Sequence, residues 1–160
     1  MRLTTRTNLA TRVLMFCAVN EGRIVRTAEI AQCCNASVNH LLQVVGLLQD
    51  NGFVETLRGR AGGLRLARPM ERISIGEVFR IFESGVPFAE CFDLQANTCP
   101  LTANCRLRGF LARAIEAFYH ELDLVTLKDL VQGNCGLHAL LDMRAAMVTE
   151  CKPGKAPSAA

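Results

Sequence analysis

Residues 37–66 have the sequence SVNHLLQVVGLLQDNGFVETLRGRAGGLRL, in which a helical pattern is followed at once by two strand-like runs. Apolar residues recur three or four positions apart up to Asp50, and Ser37 is suited to be the N-cap, so the first part predicts a helix. Asn51-Gly52 closes this helix. Two β-favouring runs then follow, Phe53–Leu57 and Leu64–Ala67. The order predicts a helix that leads directly into a β-hairpin.

The tip of the predicted hairpin is Arg58-Gly59-Arg60-Ala61-Gly62-Gly63. Three glycines and two arginines in six residues make this tip flexible, cationic and free of bulk. An ordinary hairpin turn explains the glycines, but it does not explain why Arg58, Arg60 and Arg65 occur together. We therefore expect the tip to contact a polyanion, as the wing of a winged helix contacts DNA.

Two further helices are predicted before Ser37. Apolar residues repeat with helical spacing over Thr7–Asn20, and Thr27 is a suitable N-cap for a second helix, Ala28–Cys34. A turn at Asn35-Ala36 joins that helix to the one that Ser37 begins. Two helices joined by three or four residues form a helix-turn-helix pattern. Together with the hairpin, the pattern predicts a mostly α winged helix-turn-helix fold with a two-stranded wing.

Charge is unevenly distributed along the 160 residues. Residues 1–72 contain ten Arg, no Lys and five acidic residues, a net charge of +5. Residues 73–160 contain eight Lys and Arg and ten acidic residues, a net charge of −2. A basic half on an otherwise ordinary chain indicates a polyanion partner such as nucleic acid. The alternative is a solvated basic face, which the cationic hairpin disfavours.

The second half is predicted to contain helices around one long loop. A helix runs from Ser74 to about Glu83, and residues 84–105 show no period. An amphipathic helix of roughly 27 Å then occupies Arg106–Asp123. A shorter helix starts at Thr126, where Asp129 completes a capping-box-like sequence. The chain is accordingly divided into three parts, namely 1–72 (winged helix-turn-helix domain), 73–133 (linker helix, cysteine loop and dimerisation helix) and 134–160 (C-terminal segment with a disordered tail).

The long helix is predicted to pair two subunits. Phe110, Ala114 and Phe118 lie one helical turn apart on its apolar stripe. A winged domain of about 70 residues already has a core of its own, so this stripe has little else to cover within one chain. A mean hydropathy of +0.20 in a chain without a membrane-like run also indicates apolar surface buried between subunits. We therefore expect a homodimer.

Cys91, Cys99 and Cys105 lie in the long loop with the spacing C-x7-C-x5-C. A loop lets three sulfurs converge on one point, and thiolates are soft ligands suited to iron–sulfur clusters, zinc or copper(I). A fourth ligand would have to come from elsewhere. An enzyme with a reactive thiol is disfavoured, because no cysteine has a His and an acid nearby and no C-x-x-C occurs. An iron–sulfur electron carrier would leave the basic wing without a purpose.

The sequence also indicates the cellular compartment of the protein. No apolar run approaches the ~18 residues of a membrane span, and the N-terminus has no signal-like apolar stretch. We expect a cytoplasmic protein without membrane contact, in which the eight cysteines are reduced. Cys17, Cys33 and Cys34 fall on predicted helices and are expected to be small buried hydrophobes. Cys135 is a possible further ligand, and Cys151 is expected to play no part.

Over about residues 1–133 the chain resembles the bacterial iron–sulfur-dependent winged-helix repressors that include NsrR, IscR and RirA. The resemblance is carried by the N-terminus, the third helix, the hairpin, the cysteine loop and the segment after the long helix. The residues are Met1-Arg2-Leu3-Thr4 with Thr7, Val38–Leu41, Val54–Leu66, the three loop cysteines with Arg106–Arg108, and Thr126–Leu130. The resemblance implies a transcriptional repressor, not an enzyme, with a 4Fe–4S or 2Fe–2S cluster on Cys91, Cys99 and Cys105.

The resemblance does not decide which signal the protein senses, because different residues resemble different branches of the family. Asn39-His40 and Cys105-Arg106-Leu107 look most like NsrR, the nitric-oxide-sensing repressor. IscR has a histidine three residues after its last cysteine, where this chain has Arg108. NsrR proteins ligate iron with an aspartate from the first helix of the other subunit, and the matching residue is Asn8 of the partner subunit, which looks like RirA. A nitric oxide signal is favoured; the alternatives are an iron-responsive repressor of iron-uptake genes and a zinc-holding regulator.

The resemblance also implies how the dimer would meet double-stranded DNA with a palindromic operator. The third helix would enter the major groove, the wing would reach an A·T-rich minor groove, and N-terminal residues would touch phosphates. The candidate contacts are Arg2, Thr4, Arg6, Ser37, Asn39, His40, Gln43, Arg58, Arg60, Gly62, Gly63 and Arg65. Damage to the cluster would loosen the loop and release the repressor from DNA.

Overall fold

The computed structural model describes residues 3–59, 62–93, 95–143 and 154. This part of the chain contains seven α-helices and one two-stranded antiparallel sheet. The elements are α1 (Thr5–Val19), α2 (Thr27–Cys33), α3 (Val38–Asp50), β1 (Val54–Leu57), β2 (Gly63–Leu66), α4 (Ile75–Glu83), α5 (Arg106–Asp123), α6 (Leu127–Val131) and α7 (Cys135–Leu141). The predicted mostly α fold, a helix-turn-helix followed by a two-stranded wing and a long helix, is confirmed.

Two helices begin earlier than the sequence predicts, because residues further upstream cap them. Thr4 is the N-cap of α1, and its hydroxyl accepts a hydrogen bond from the Thr7 amide at 3.3 Å. Arg26, not Thr27, is the N-cap of α2, and the Glu29 carboxylate accepts a hydrogen bond from the Arg26 amide at 2.7 Å. The N-caps predicted for three later helices are confirmed, namely Ser37, Ser74 and Thr126.

One hydrophobic core holds the described helices together, and α1 lies at its centre. Helices α3, α4, α6 and α7 all pack against α1. Leu14 and Phe16 of α1 are fully buried, as are Leu41 of α3 and Leu127 of α6. Residues from each of the three predicted parts of the chain therefore share this core. None of the described helices is both long and apolar enough to cross a bilayer.

Helix α7 is an element that the sequence analysis did not predict. Its last residue, Leu141, is buried in the core. Asn20, at the end of α1, is fully buried, and its side-chain amide donates to the Leu141 carbonyl at 2.8 Å. The Asn20 side-chain oxygen accepts a hydrogen bond from the Met143 amide at 3.1 Å. The predicted disordered tail from Lys152 onward, apart from Gly154, falls outside the described residues.

Helix α5 has one face against α4 and one face open. The rings of Phe79 in α4 and Phe118 in α5 pack with their centres 6.4 Å apart and their planes tilted by 46°, and Arg80 pairs with Asp123 at 2.7 Å. The side chain of Phe118 is half-buried and has this partner within its own chain, and its assignment to the subunit interface stays a prediction. Phe110 and Ala114 are exposed, Phe110 by 60%.

The helical cysteines differ in their surroundings. Cys17 and Cys34 are buried as predicted, but Cys33 is exposed, so that prediction was wrong. Cys33 lies at the C-terminal end of α2, where its thiol contacts the Leu140 carbonyl at 3.2 Å. Burial raises the pKa of the Cys17 thiol to about 12, so this residue remains a protonated thiol and an unsuitable metal ligand.

Candidate DNA-binding surface and cysteine loop

The outer face of α3 carries the predicted base-reading residues. Ser37, Asn39, His40 and Gln43 are all exposed, while the inner face of the helix is buried. The Ser37 side chain makes no capping hydrogen bond, so its hydroxyl is not held by the first turn of α3. The helix therefore presents hydroxyl, amide and imidazole groups on one surface, and these groups can hydrogen-bond to base edges or phosphates.

The hairpin places a cationic tip beside this face. Strands β1 and β2 pair from Val54–Leu66 to Leu57–Gly63. Arg58 is exposed and makes no ion pair with any residue in the described ranges. Arg65 instead forms a cross-strand ion pair with Glu55. Arg60 is not among the described residues, so its predicted contact has no structural account.

The glycines of the tip have two different structural reasons. Gly59 has a φ of +105°, a left-handed conformation that glycine adopts without strain. Gly62 and Gly63 do not have positive φ; they are needed because a Cβ would collide with backbone carbonyls. The colliding oxygen belongs to Leu57 for Gly62 and to Val25 for Gly63. The wing thus needs glycine at Gly59 for its turn geometry, and at Gly62 and Gly63 because other backbone atoms approach closely.

Some of the N-terminal residues are exposed to solvent, and others are held by hydrogen bonds within the chain. Arg6 is exposed, as a phosphate contact requires, whereas Arg2 lies before the first described residue. Thr4 is half-buried: its amide donates to the Glu83 carboxylate at 2.8 Å, and its hydroxyl is 2.9 Å from that of Thr7. Asn8 is exposed within α1 and does not cap the helix, since Thr4 has that role.

A groove of about 640 Å³ lies between α3 and the hairpin. Its walls carry one arginine, two threonine hydroxyls, one glutamine amide and four apolar side chains, and none of the described lining residues is acidic. The lining includes Arg26, Thr27, Leu42, Gln49, Thr56 and Leu57. A groove without negative charge between a helix and a wing suits a polyanionic ligand.

The three loop cysteines occupy distinct local structures between α4 and α5. Cys91 lies in a short 3₁₀ turn, Glu90–Phe92, and Cys105 is the N-cap of α5. Cys99 lies just before a second 3₁₀ turn, Thr102–Asn104. All three are half-buried free thiols.

Side-chain hydrogen bonds join two inner segments of this loop. The Glu90 carboxylate accepts hydrogen bonds from the amide and the hydroxyl of Thr98 at 2.8 and 2.6 Å. These bonds from Thr98, the hydroxyl first, hold the pKa of Glu90 below its usual value. The Asn97 side-chain oxygen accepts from the Cys99 amide at 3.1 Å. The turn that contains Cys91 is thereby fastened to the segment that contains Cys99.

The loop does not gather a complete metal centre from this chain. Within the described ranges, no three His, Cys, Asp or Glu side chains lie close enough together to hold a metal ion. The donor set nevertheless has the right chemistry for an iron–sulfur cluster, since it consists of three free thiols that deprotonate to soft thiolates. Cys105 also lies at a helix N-terminus, where negative charge is favoured.

Sequence reasoning missed Glu83 and Glu90 as organising residues. Glu83 accepts hydrogen bonds from the Thr4 amide and the Thr7 hydroxyl, which lie 79 and 76 positions away. Such a pair leaves no periodic signal, because its partners meet only after α1 and α4 have packed. Glu90 and its partner Thr98 lie in the loop, where no periodic pattern marks them either.

The chain is similar in sequence and in structure to known transcriptional regulators. A family model described as "Rrf2: Iron-dependent Transcriptional regulator" matches residues 3–133. The NsrR transcriptional regulator of Geobacillus kaustophilus is 42% identical over 145 residues, covering 90% of this chain and 99% of that protein. Protein aau3 of Rhizobium meliloti is 39% identical, covering 89% and 93%. The crystal structure of Staphylococcus aureus CymR is 27% identical, with a TM-score of 0.64, and the match covers 81% of this chain and 97% of that one.

Proposed function

Because the chain belongs to the Rrf2 family of transcriptional regulators, we propose that it is a homodimeric repressor whose hold on DNA depends on an iron–sulfur cluster. As a member of this family the protein is a DNA-binding regulator, not an enzyme. The proposed ligands are Cys91, Cys99 and Cys105, and the proposed signal is nitric oxide. The proposed palindromic operator follows from the two-fold symmetry of a dimer.

The observation that carries the proposal is the position of the three free thiols. They lie on one loop that begins just after Glu83 and ends at Cys105, the N-cap of α5. When bound, the cluster would supply iron as the site of attack by nitric oxide. The residues at the two ends of the loop would transmit the change, because Glu83 holds the N-terminus of α1 and Cys105 is the N-cap of α5, the proposed dimerisation helix.

The proposal is tested by purification without air. We expect a brown protein with absorbance at about 400 nm, which a zinc-holding regulator would lack. Cys99→Ala should remove this absorbance, whereas Cys33→Ala, a matched change at an exposed thiol outside the loop, should keep it. DNA binding is measured with a duplex selected from a random-sequence pool, before and after addition of nitric oxide. A colourless wild-type protein, or full colour in Cys99→Ala, would contradict the cluster assignment.

Asn8 separates the nitric oxide signal from the iron-responsive alternative. The exposed position of Asn8 on α1 allows it to reach a second subunit, and an amide oxygen is a weaker iron ligand than a carboxylate. If Asn8 of the partner subunit completes the site, Asn8→Asp should slow the bleaching of the cluster by chelators. Asn8→Ala is the control, and it should keep the colour because three thiolates remain. Equal bleaching of Asn8→Asp and wild type would exclude Asn8 as a ligand and remove the main argument for iron sensing.

A further inference from the structure

Two large apolar side chains stand on the solvent-facing side of α3. Val38 is 43% exposed and Leu42 is 54% exposed, and the two lie one helical turn apart. Four other residues of α3 form its core-facing side and are fully or almost fully buried, namely Leu41, Val44, Val45 and Leu48. Val38 and Leu42 therefore contribute little to the folded core, and their apolar surface stays in contact with water in the single chain.

The surroundings of this pair identify the class of partner. Leu42 opens into the groove between α3 and the hairpin, whose described lining includes Arg26 but no acidic residue. Leu57 and Gly59 of the wing line the groove, and Arg58, which lies between them in sequence, is exposed. Polar groups suited to DNA flank the pair on α3, since Asn39 and Gln43 are exposed next to it in sequence. This charge and polarity fit a DNA duplex better than an apolar protein partner.

The major groove of DNA offers one apolar group at the base edges, the C5-methyl group of thymine. We infer that Val38 and Leu42 form a thymine-reading pair that selects operators by these methyl groups. The inference rests on the proposed DNA-binding function and adds the chemical feature of the operator that α3 recognises. Asn39 and Gln43 would supply hydrogen bonds to neighbouring bases, while Val38 and Leu42 would favour thymine by excluding water from its methyl group.

The experiment removes the methyl group without changing any hydrogen bond. A duplex is first selected from a random 30-base-pair pool and then synthesised with deoxyuridine in place of individual thymidines. For the wild-type protein, each contacted thymine that is replaced should weaken binding by about fourfold. Leu42→Ala should weaken binding to the thymidine duplex and should no longer distinguish thymidine from deoxyuridine at the positions that Leu42 contacts. Discrimination at the positions that Val38 contacts should remain. Leu140→Ala changes an even more exposed leucine, on α7, and should behave as wild type.

The outcomes separate this inference from the function on which it rests. If Leu42→Ala and Val38→Ala discriminate thymidine from deoxyuridine as strongly as wild type, the thymine-reading pair is refuted while DNA binding stands. The same conclusion follows if no thymine position is sensitive in the wild-type protein. If no duplex is enriched from the pool, both the inference and the proposed operator binding fail. Circular dichroism of Leu42→Ala is expected to match wild type, because the side chain is exposed.

Discussion

Gly63 is the residue that lets the wing lie against the rest of the domain. Leu64, its neighbour, pairs with Val25 through two hydrogen bonds of 2.9 and 2.8 Å, which adds a third short segment to the edge of the hairpin. A Cβ on Gly63 would run into the Val25 carbonyl and would lie 2.7 Å from a methyl carbon of Ile24. The missing side chain at Gly63 thus allows the backbone contact that orients the wing.

Gly63→Ala should therefore destabilise the protein, by about 1–3 kcal/mol, because the new methyl group forces β2 away from Val25. The free energy of unfolding is measured by urea titration. The matched control is Gly46→Ala in α3, where a Cβ meets nothing within 4 Å and alanine has the better helix propensity. Gly46→Ala should be neutral or slightly stabilising. A Gly63→Ala protein as stable as wild type would show that the backbone contact can relax without cost.

At the scale of elements, the short helix α6 depends on its cap. The Thr126 hydroxyl accepts a hydrogen bond from the Asp129 amide at 3.3 Å, and the Asp129 carboxylate accepts from the Thr126 amide at 2.8 Å. Five residues are too few for a helix to be stable alone. The cap and the buried side chains of Leu127 and Val131 together hold α6 against α1.

Thr126→Ala should lower the stability by about 1 kcal/mol, the usual cost of losing an N-cap. Thr126→Ser keeps the hydroxyl and is expected to retain most of that stability.

Hydrogen bonds from Thr126 hold the pKa of Asp129 below its ordinary value. This contribution is present at neutral pH and is lost as the pH falls through the folded-state pKa of Asp129. The difference in unfolding free energy between wild type and Thr126→Ala should accordingly shrink in acid; a constant difference would contradict the role of the carboxylate.

At the scale of the whole molecule, the exposed face of α5 is the surface on which the proposed dimer depends. Leu107 and Phe110 are 62% and 60% exposed on this helix. Phe110→Asp should place a charge in the subunit interface and give monomers, as measured by size-exclusion chromatography with light scattering. His120→Asp introduces the same charge at an exposed polar position of α5 and should remain dimeric. A dimeric Phe110→Asp protein would place the interface elsewhere.

Binding to DNA should depend strongly on salt, because arginines of both subunits of the proposed dimer would replace cations at the phosphates. A dimer that neutralises six to eight phosphates should give a slope of log K against log salt of about −5 to −7. Arg58→Ala should reduce the magnitude of the slope by about two, one for each subunit. Arg65→Ala should change it less, because Arg65 is already paired with Glu55. A slope near zero would exclude the proposed phosphate contacts.

Local features of the molecule were predictable because the interacting residues are close in sequence. The period of α3, the bounds of α5 and the capping box at Thr126 involve residues that are at most a few positions apart. The paired residues of β1 and β2 are also close, from Leu57–Gly63 to Val54–Leu66. The same holds for the exposed face of α3, since residues that do not fit the apolar stripe must point outward.

Other features depended on tertiary packing. Three contacts join residues that are 39 to 121 positions apart. They are the pairing of Val25 with Leu64, the hydrogen bond from Asn20 to Leu141 of α7, and the ring contact between Phe79 and Phe118. Such contacts form only after the helices have packed in one particular arrangement. Because the apolar face of each helix is compatible with several arrangements, no short stretch of sequence predicts these contacts. The loop cysteines follow the same rule: the sequence places three thiols on one segment, but their separation in space is determined by the hydrogen bonds of Glu90 and Asn97 and by the packing of α4 and α5.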